Sequence, residues 1–326
     1  MRTFDAEEVA ALLSPEIAYE VMHSTLRQFG TAAIMQPLRT ILRPDSSDSL
    51  MGVMPAHLAG DDTGFGVKIA LLVPDSGSQG HARHVGMVMV FDPATGEPTA
   101  AVEAGAVTAL RTAAVSAVAT DCLARDDADT LAILGSGVQA RSHLRALAGR
   151  RSYRRVVVWS PTESRARAMA AWGESLLGQP VLVAPTPGQA VAGAAVVVTA
   201  TASKQPLLEH ADIAPGTHIN AVGASFRDYR ELSSELVAAA RFVVDSRVSA
   251  LAESGDLLEP IREGLCTADD IRGELGEILR GEAVGRETPD DVTVFKSLGL
   301  AVEDVAAAFA VVRMSQADAA ADLARA

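Results

Sequence analysis

The stretch Thr130-Leu-Ala-Ile-Leu-Gly-Ser-Gly-Val-Gln-Ala140 constrains the fold of this chain more than any other. A short run without charge reads as a buried strand. A glycine turn follows it and opens into a helical pattern. Gly135 and Gly137 take the first two places of a G-x-G-x-x-G/A fingerprint, and Ala140 takes the third. The first glycine permits the turn, and the second lets a pyrophosphate approach the backbone. The small third residue lets the helix pack close to the strand. The helix N-terminus then offers N–H groups to phosphates. A purely structural strand-to-helix turn is the bland alternative, but a clean strand before and a helical pattern after favour a nucleotide.

The pattern around this stretch extends the reading. Strand-like runs at 130–134, 155–159, 181–184, 195–200, 218–222, 241–245 and 292–295 alternate with helical runs such as 138–148, 163–177 and 233–239. That alternation signals parallel βαβ units. The first third has a different grain. Helix is expected over 5–29, restarting at Ser14-Pro15 with serine as N-cap and proline at the first helical position. Strands are expected at 36–43, 50–55, 66–74, 84–91 and 98–102, with antiparallel pairing around the turn Asp92–Glu97. A helix over 108–124 carries Arg111 in its first turn, and a long helix over 302–324 is expected to return to the first domain. The predicted class is α/β. A Rossmann-type doubly wound parallel sheet spans 125–298, and an α+β substrate domain is built from 1–124 and 299–326.

Charge narrows the partners. The chain of 326 residues has a formal net charge of −13, which argues against nucleic acid or an anionic membrane surface. Cys122 and Cys266 are its two cysteines, far apart and without metal-ligand spacing, so a reducing cytoplasmic location is expected. No signal pattern and no membrane span are expected from the sequence.

Three cations invite chemistry. Lys68 interrupts an apolar strand, where an ammonium is costly unless it reaches a cleft, a partner or water. Arg39 is expected on a strand. Arg111, read at a helix start, opposes the helix dipole, as an arginine serving an anion with Thr112 would. Together with the glycine turn they suggest a small carboxylate substrate beside a nicotinamide. His81 and His84 flank Arg83, but no carboxylate or cysteine sits at metal spacing, so no metal is expected. Glu253 and Asp256 read as solvated, and no Gly-x-Ser-x-Gly elbow supports a hydrolase.

These residues resemble the ornithine cyclodeaminase/mu-crystallin family over nearly the whole chain. The resemblance is carried by Gln36-Pro-Leu-Arg-Thr40, Leu50-Met-Gly-Val-Met-Pro55, Ala109-Leu-Arg-Thr-Ala-Ala-Val-Ser116, Leu134-Gly-Ser-Gly-Val-Gln-Ala140, Asn220-Ala-Val-Gly-Ala-Ser225, Glu253-Ser-Gly-Asp256, Glu274-Leu-Gly-Glu277 and Thr293-Val-Phe-Lys-Ser-Leu-Gly299. The wording is nearest the mu-crystallin side, whose members look like ketimine reductases that reduce cyclic imino acids with a nicotinamide cofactor. The resemblance implies a Rossmann domain plus a substrate-binding and dimerisation domain, whose sheets associate across a homodimer. It implies substrate-carboxylate and acid/base roles for Arg39, Lys68 and Arg111. It implies cofactor contacts for Arg111, Thr112, Gly135, Ser136, Gly137, Val138, Gln139, Thr201, Val222 and Leu298, and places His84 near the cofactor.

Two departures matter. Cyclodeaminases carry Gly-Gly-Asp where this chain has Gly223-Ala-Ser225, and serine is no carboxylate base near neutral pH. Imine reduction is therefore favoured over deamination, with Ser225 positioning the imine nitrogen or a water. Phe226 stands where mu-crystallin has an arginine. At the corner that selects the dinucleotide, Trp159-Ser-Pro-Thr162 has no acid before Glu163. Ser160, Thr162, Ser164 and Arg165 are suited to a 2′-phosphate, so NADP is preferred over NAD. Lys68 is the expected proton donor, its pKa lowered by two neighbouring arginines. The resemblance leaves three other readings open: an ornithine-type cyclodeaminase, an open-chain amino-acid dehydrogenase, and a small-ligand binding protein.

Overall fold

The computed structural model describes residues 1–46, 49–60, 63–73 and 84–325. His81, Arg83 and most of the loop before β6 lie outside the described residues, as does the His84 side chain. The chain forms two compact units: Met1–Arg111 with Leu300–Ala326, and Thr112–Gly299.

The first unit is a seven-stranded sheet with helices. Its strands are β1 (Arg2–Phe4), β2 (Ile34–Met35), β3 (Thr40–Leu42), β4 (Leu50–Leu58), β5 (Gly64–Leu72), β6 (His84–Phe91) and β7 (Pro98–Glu103). The order is β1-β7-β6-β5-β4-β2, and β3 shares the long strand β4 with β2. All pairs are antiparallel except β1 with β7. The β6–β7 turn is fixed by Asp92, whose Oδ1 accepts from the N–H groups of Ala94 and Thr95 at 2.9 and 2.8 Å. The expected helical segment is two helices, Ala6–Leu12 and Pro15–Gln28, and Ser14 Oγ caps the second by accepting from Ile17 N at 3.3 Å. The last helix, Ala301–Arg325, lies across β4, β5 and β6, with Val305 over Gly66 and Phe309 over Gly64.

Three sequence readings change here. The strand expected over 36–43 is broken: β2 stops before Pro37, which has no N–H for a ladder, and Arg39 lies in the loop ahead of β3. The helix expected from 108 begins at Ala104. Glu103 caps it, accepting from Gly105 N and Ala106 N at 2.8 and 2.6 Å. Arg111 is therefore in the body of the helix, and the argument from the helix dipole lapses. Lys68, for its part, reaches a partner, Asp304, rather than water. β5 is an interior strand, and Lys68 is 6% exposed on the face covered by the last helix.

The second unit is a Rossmann-type doubly wound sheet. Its eight strands, β8 (Thr130–Leu134), β9 (Arg155–Trp159), β10 (Val181–Val183), β11 (Val196–Thr199), β12 (His218–Ala221), β13 (Arg241–Val244), β14 (Ile271–Glu274) and β15 (Thr293–Lys296), run in the order β10-β9-β8-β11-β12-β15-β13-β14. All pairs are parallel. The order reverses between β8 and β11, which makes the turn after β8 the switch point. Valine-rich interior strands such as Arg155-Val-Val-Val-Trp159 are buried on both faces, as a covered parallel sheet requires. The helix Ala104–Leu123 has the length and hydropathy of a membrane span, and 72% of its apolar window is buried by the rest of the chain, as in a core helix.

Asp256 corrects another reading. It is not solvated but fully buried in the helix Gly255–Arg262, 3.0 Å from the ammonium of Lys296 on β15. Its other oxygen accepts from Glu231 N and Leu232 N at 2.8 and 3.1 Å. Removing one partner from a buried pair strands the other charge. Lys296→Met is expected to cost about 3 kcal/mol or more, read as a lowered thermal midpoint. An unchanged midpoint would mean that two backbone N–H groups satisfy Asp256 without the lysine.

Candidate functional site

The second unit presents the glycine turn as an open helix terminus. Gly135 has φ +133°, and a Cβ there would stand 2.5 Å from the carbonyl oxygen of Ala200 on the neighbouring crossover, so only glycine makes this turn. Gly137 is the N-cap of the helix Val138–Arg150, with extended backbone and no side-chain cap. Among the described residues, nothing but its chain neighbours lies within 4 Å of where its Cβ would be. The N–H groups at Val138 and Gln139 thus begin a helix whose approach is open, a fit for a pyrophosphate. Ser136 Oγ and Ser160 Oγ are 2.9 Å apart and join the turn to the end of β9. Thr162 is the N-cap of the helix Glu163–Leu177 with no side-chain cap bond, and Ser164 and Arg165 are exposed on its first turn. These hydroxyls and one guanidinium, with no acid before Glu163, suit the ribose end of a dinucleotide. Beneath the turn, buried His143 bonds the Gln139 carbonyl and Ser116 Oγ, and burial drives its pKa down to about 4, leaving a neutral ring.

The same end of the sheet gathers three other expected residues. Thr201 follows β11, Val222 follows β12 and Leu298 follows β15, and these strands are neighbours in this order. Thr201 donates through both its N–H and its hydroxyl to Glu231, each at 2.7 Å. Val222 is buried. Leu298 N and Gly299 N donate to Asp245 Oδ2, whose partner oxygen takes Ser246 N. Ser225 is half-buried in the loop after β12, next to Phe226, whose ring lies 6.0 Å from that of Tyr229. Thr112 is buried where the second unit begins.

The first unit holds a buried ion cluster. Lys68 Nζ is 3.0 Å from Asp304 Oδ1 and 2.6 Å from Thr108 Oγ1. Arg111 Nε lies 3.0 Å from the same Asp304 oxygen, and its Nη1 donates to Glu303. Both acids are fully buried. Burial lowers the Lys68 pKa from its ordinary value; Asp304 opposes this, and Arg111 adds to it. The expected cause is therefore corrected: desolvation leads, and the strongest charge acting on Lys68 is an aspartate rather than a second arginine. The structure brings Lys68 and Arg111 together on Asp304. Arg39 is half-exposed in the loop before β3, and His84 opens β6 opposite Leu72.

Four acids escaped the sequence reading: Glu303, Asp304, Glu231 and Asp245. Glu303 and Asp304 sit in the first turn of a helix, where acids are ordinary, which hid them. The available signal was two adjacent acids in the otherwise apolar run Ala301-Val-Glu-Asp-Val-Ala-Ala-Ala308. Glu231 and Asp245 are placed by long-range packing and carried no local signal.

The family model of the ornithine cyclodeaminase/mu-crystallin family matches residues 2–318. The chain belongs to this family. Among family relatives, it is 38% identical over 290 residues to a Delta(1)-pyrroline-2-carboxylate reductase of Bacillus cereus, covering 89% of this chain and 88% of that one. It is also 38% identical over 307 residues to mouse ketimine reductase mu-crystallin, covering 93% and 94%. The structure of Thermococcus litoralis Delta(1)-pyrroline-2-carboxylate reductase in complex with NADH and L-proline superposes with a TM-score of 0.95 at 33% identity, over 98% of each chain.

Proposed function

We propose that this chain reduces a small, cyclic α-imino acid to the amino acid with a nicotinamide dinucleotide. One observation carries the reading: an open glycine-turn terminus occurs in the same chain as a buried lysine whose proton affinity burial has lowered. The pyrroline-2-carboxylate and ketimine reductase relatives support it. In this reading the unit containing β8–β15 binds the dinucleotide, and the unit containing β1–β7 binds the substrate.

When bound, the dinucleotide would supply a hydride for the carbon of the C=N bond. That carbon is electrophilic only when the imine nitrogen carries a proton, and Lys68 Nζ donates it. Asp304 holds the ammonium in place and restores part of the proton affinity that burial removes. Arg39 and Arg111 bind the substrate carboxylate, and Ser225 orients the imine nitrogen or a water. Gly135, Ser136, Gly137, Val138 and Gln139 hold the pyrophosphate, and Ser160, Thr162 and Arg165 favour NADP over NAD. Thr112, Thr201, Val222, Leu298 and His84 complete the cofactor contacts. A panel of pyrroline- and piperideine-2-carboxylates assayed with NADH and NADPH tests this. Turnover with a cyclic imine, faster with NADPH, is expected, whereas ammonia release from ornithine without net NADH change would replace reduction by cyclodeamination.

If Lys68 is the acid, kcat/KM falls as pH rises through its pKa, because the protonated form is the donor. Lys68→Met is expected to lower kcat/KM by more than about tenfold, or roughly 1.4 kcal/mol. Asp304→Asn removes the group that raises the Lys68 pKa and is expected to move the alkaline limb to lower pH. A limb that stays in place assigns it to another group.

The exposed face of the first sheet supports a homodimer. The last helix covers one face, while the alternate residues Phe65, Ile69 and Leu71 of β5 and Val85 of β6 are 64%, 39%, 42% and 51% exposed. A contiguous apolar face of this kind marks an association surface. Both cysteines are free, which fits a cytoplasmic location. Phe65→Lys with Ile69→Lys is expected to convert a dimer to a monomer in sedimentation velocity; a dimer that persists would move the interface elsewhere.

A further inference from the structure

Glu231 is a charged residue that the mechanism above does not use. It is fully buried, eight residues beyond Gly223 in the loop that leaves β12. Its carboxylate takes four donors, two on each oxygen. Oε1 accepts Thr201 N and Thr201 Oγ1, each at 2.7 Å. Oε2 accepts Thr199 Oγ1 and Gly223 N, each at 2.8 Å. One side chain therefore ties the end of β11, the loop after β11 and the loop after β12. The fit is close: a Cβ on Gly223 would stand 2.2 Å from Thr201 O and 2.5 Å from Glu231 Oε1. Behind it, the backbone N–H groups of Glu231 and Leu232 are held by Asp256, which is paired with Lys296. Glu231 is thus anchored from the sheet and from the helix Gly255–Arg262.

The position of these loops gives the carboxylate its meaning. In a doubly wound sheet the dinucleotide crosses the switch point, with its adenosine half on the β8–β9 side and its second half over the strands beyond. Here those strands are β11 and β12. We infer that Glu231 is a positioning residue for the nicotinamide half of the dinucleotide, acting through Thr201 and Gly223 and touching neither cofactor nor substrate. This rests on the dinucleotide reading above.

The donor set makes the idea testable with an isosteric change. Each oxygen faces one backbone N–H, Thr201 N on one side and Gly223 N on the other. A backbone N–H cannot turn round to accept. In Glu231→Gln, whichever way the amide is turned, its NH2 meets one of them, so one loop loses its backbone hydrogen bond to residue 231, although a threonine hydroxyl on that side can turn to accept.

The experiment compares the tighter-binding of NADH and NADPH with the matching nicotinamide-free fragment, ADP-ribose or 2′-phospho-ADP-ribose. Binding is measured by calorimetry on the full chain. In Glu231→Gln the dinucleotide is expected to weaken by about tenfold, while the fragment, held at the glycine turn, changes by less than about twofold. A purely structural carboxylate would weaken both alike or neither, and either result overturns the inference. Should Glu231→Gln not fold, Thr199→Val removes one of the four donors and reads the same ratio, with a smaller loss confined to the dinucleotide expected; equal losses overturn the inference. Because the readout is binding, a chain that binds the dinucleotide but reduces no imine would sink the proposed reaction while the ratio still decides on Glu231.

Discussion

Charge buried with its counter-charge is the constraint on which both units depend. In the first unit, Lys68 and Arg111 are taken out of water only because Glu303 and Asp304 come with them. In the second, Lys296 is matched by Asp256, while Glu231 and Asp245 are fed by backbone and hydroxyl donors. Burial pushes the pKa of both carboxyl groups up, and their donors together with Lys296 pull it down. An unpaired charge at any of these places would cost a large share of a domain's net stability. Such groups give less stability than apolar packing of the same volume would.

The sheet order explains where the site forms. A parallel sheet leaves the carboxyl ends of its strands at one rim, and the reversal between β8 and β11 opens a crevice in that rim. Gly135 and Gly137 shape one side of the crevice. Thr201, Val222 and Leu298 follow the adjoining strands β11, β12 and β15. The two sides are fixed differently. The glycine turn is fixed by backbone geometry, with the carbonyl of Ala200 against it. The far side is fixed by acids that gather loose N–H groups.

Much of this was legible in the chain. The βαβ alternation and the glycine turn gave the parallel sheet, because parallel strands covered on both faces leave runs such as Arg155-Val-Val-Val-Trp159. Lys68 stood out as a charge in an apolar strand. What was hidden depended on distance in space. Asp256 looked solvated in Glu253-Ser-Gly-Asp256, since nothing local reveals a lysine on β15. β14 escaped because Ile271-Arg-Gly-Glu274 is short and mostly polar, its place set by pairing with β13. The start of the helix at Ala104 was missed because Glu103 caps it from the end of β7, where a strand reading and a cap reading compete for one residue. The resemblance supplied positions such as Thr201 and Leu298 that no periodicity would have marked.

The Lys68–Asp304 pair joins residues 236 positions apart, and this has a consequence for how the protein is made. A chain emerging from the ribosome presents Lys68 long before its counter-charge, Asp304. The β1–β7 sheet can pair its strands in that interval, but Lys68 and Arg111 have no acid from the last helix to bury against, and the helix that covers β4, β5 and β6 does not yet exist. The β8–β15 unit is contiguous and is complete before the helix Ala301–Arg325 has been synthesised. The unit that holds Lys68 is thus the one that finishes folding second, and this lysine acquires its counter-charge only after the contiguous β8–β15 unit has been made.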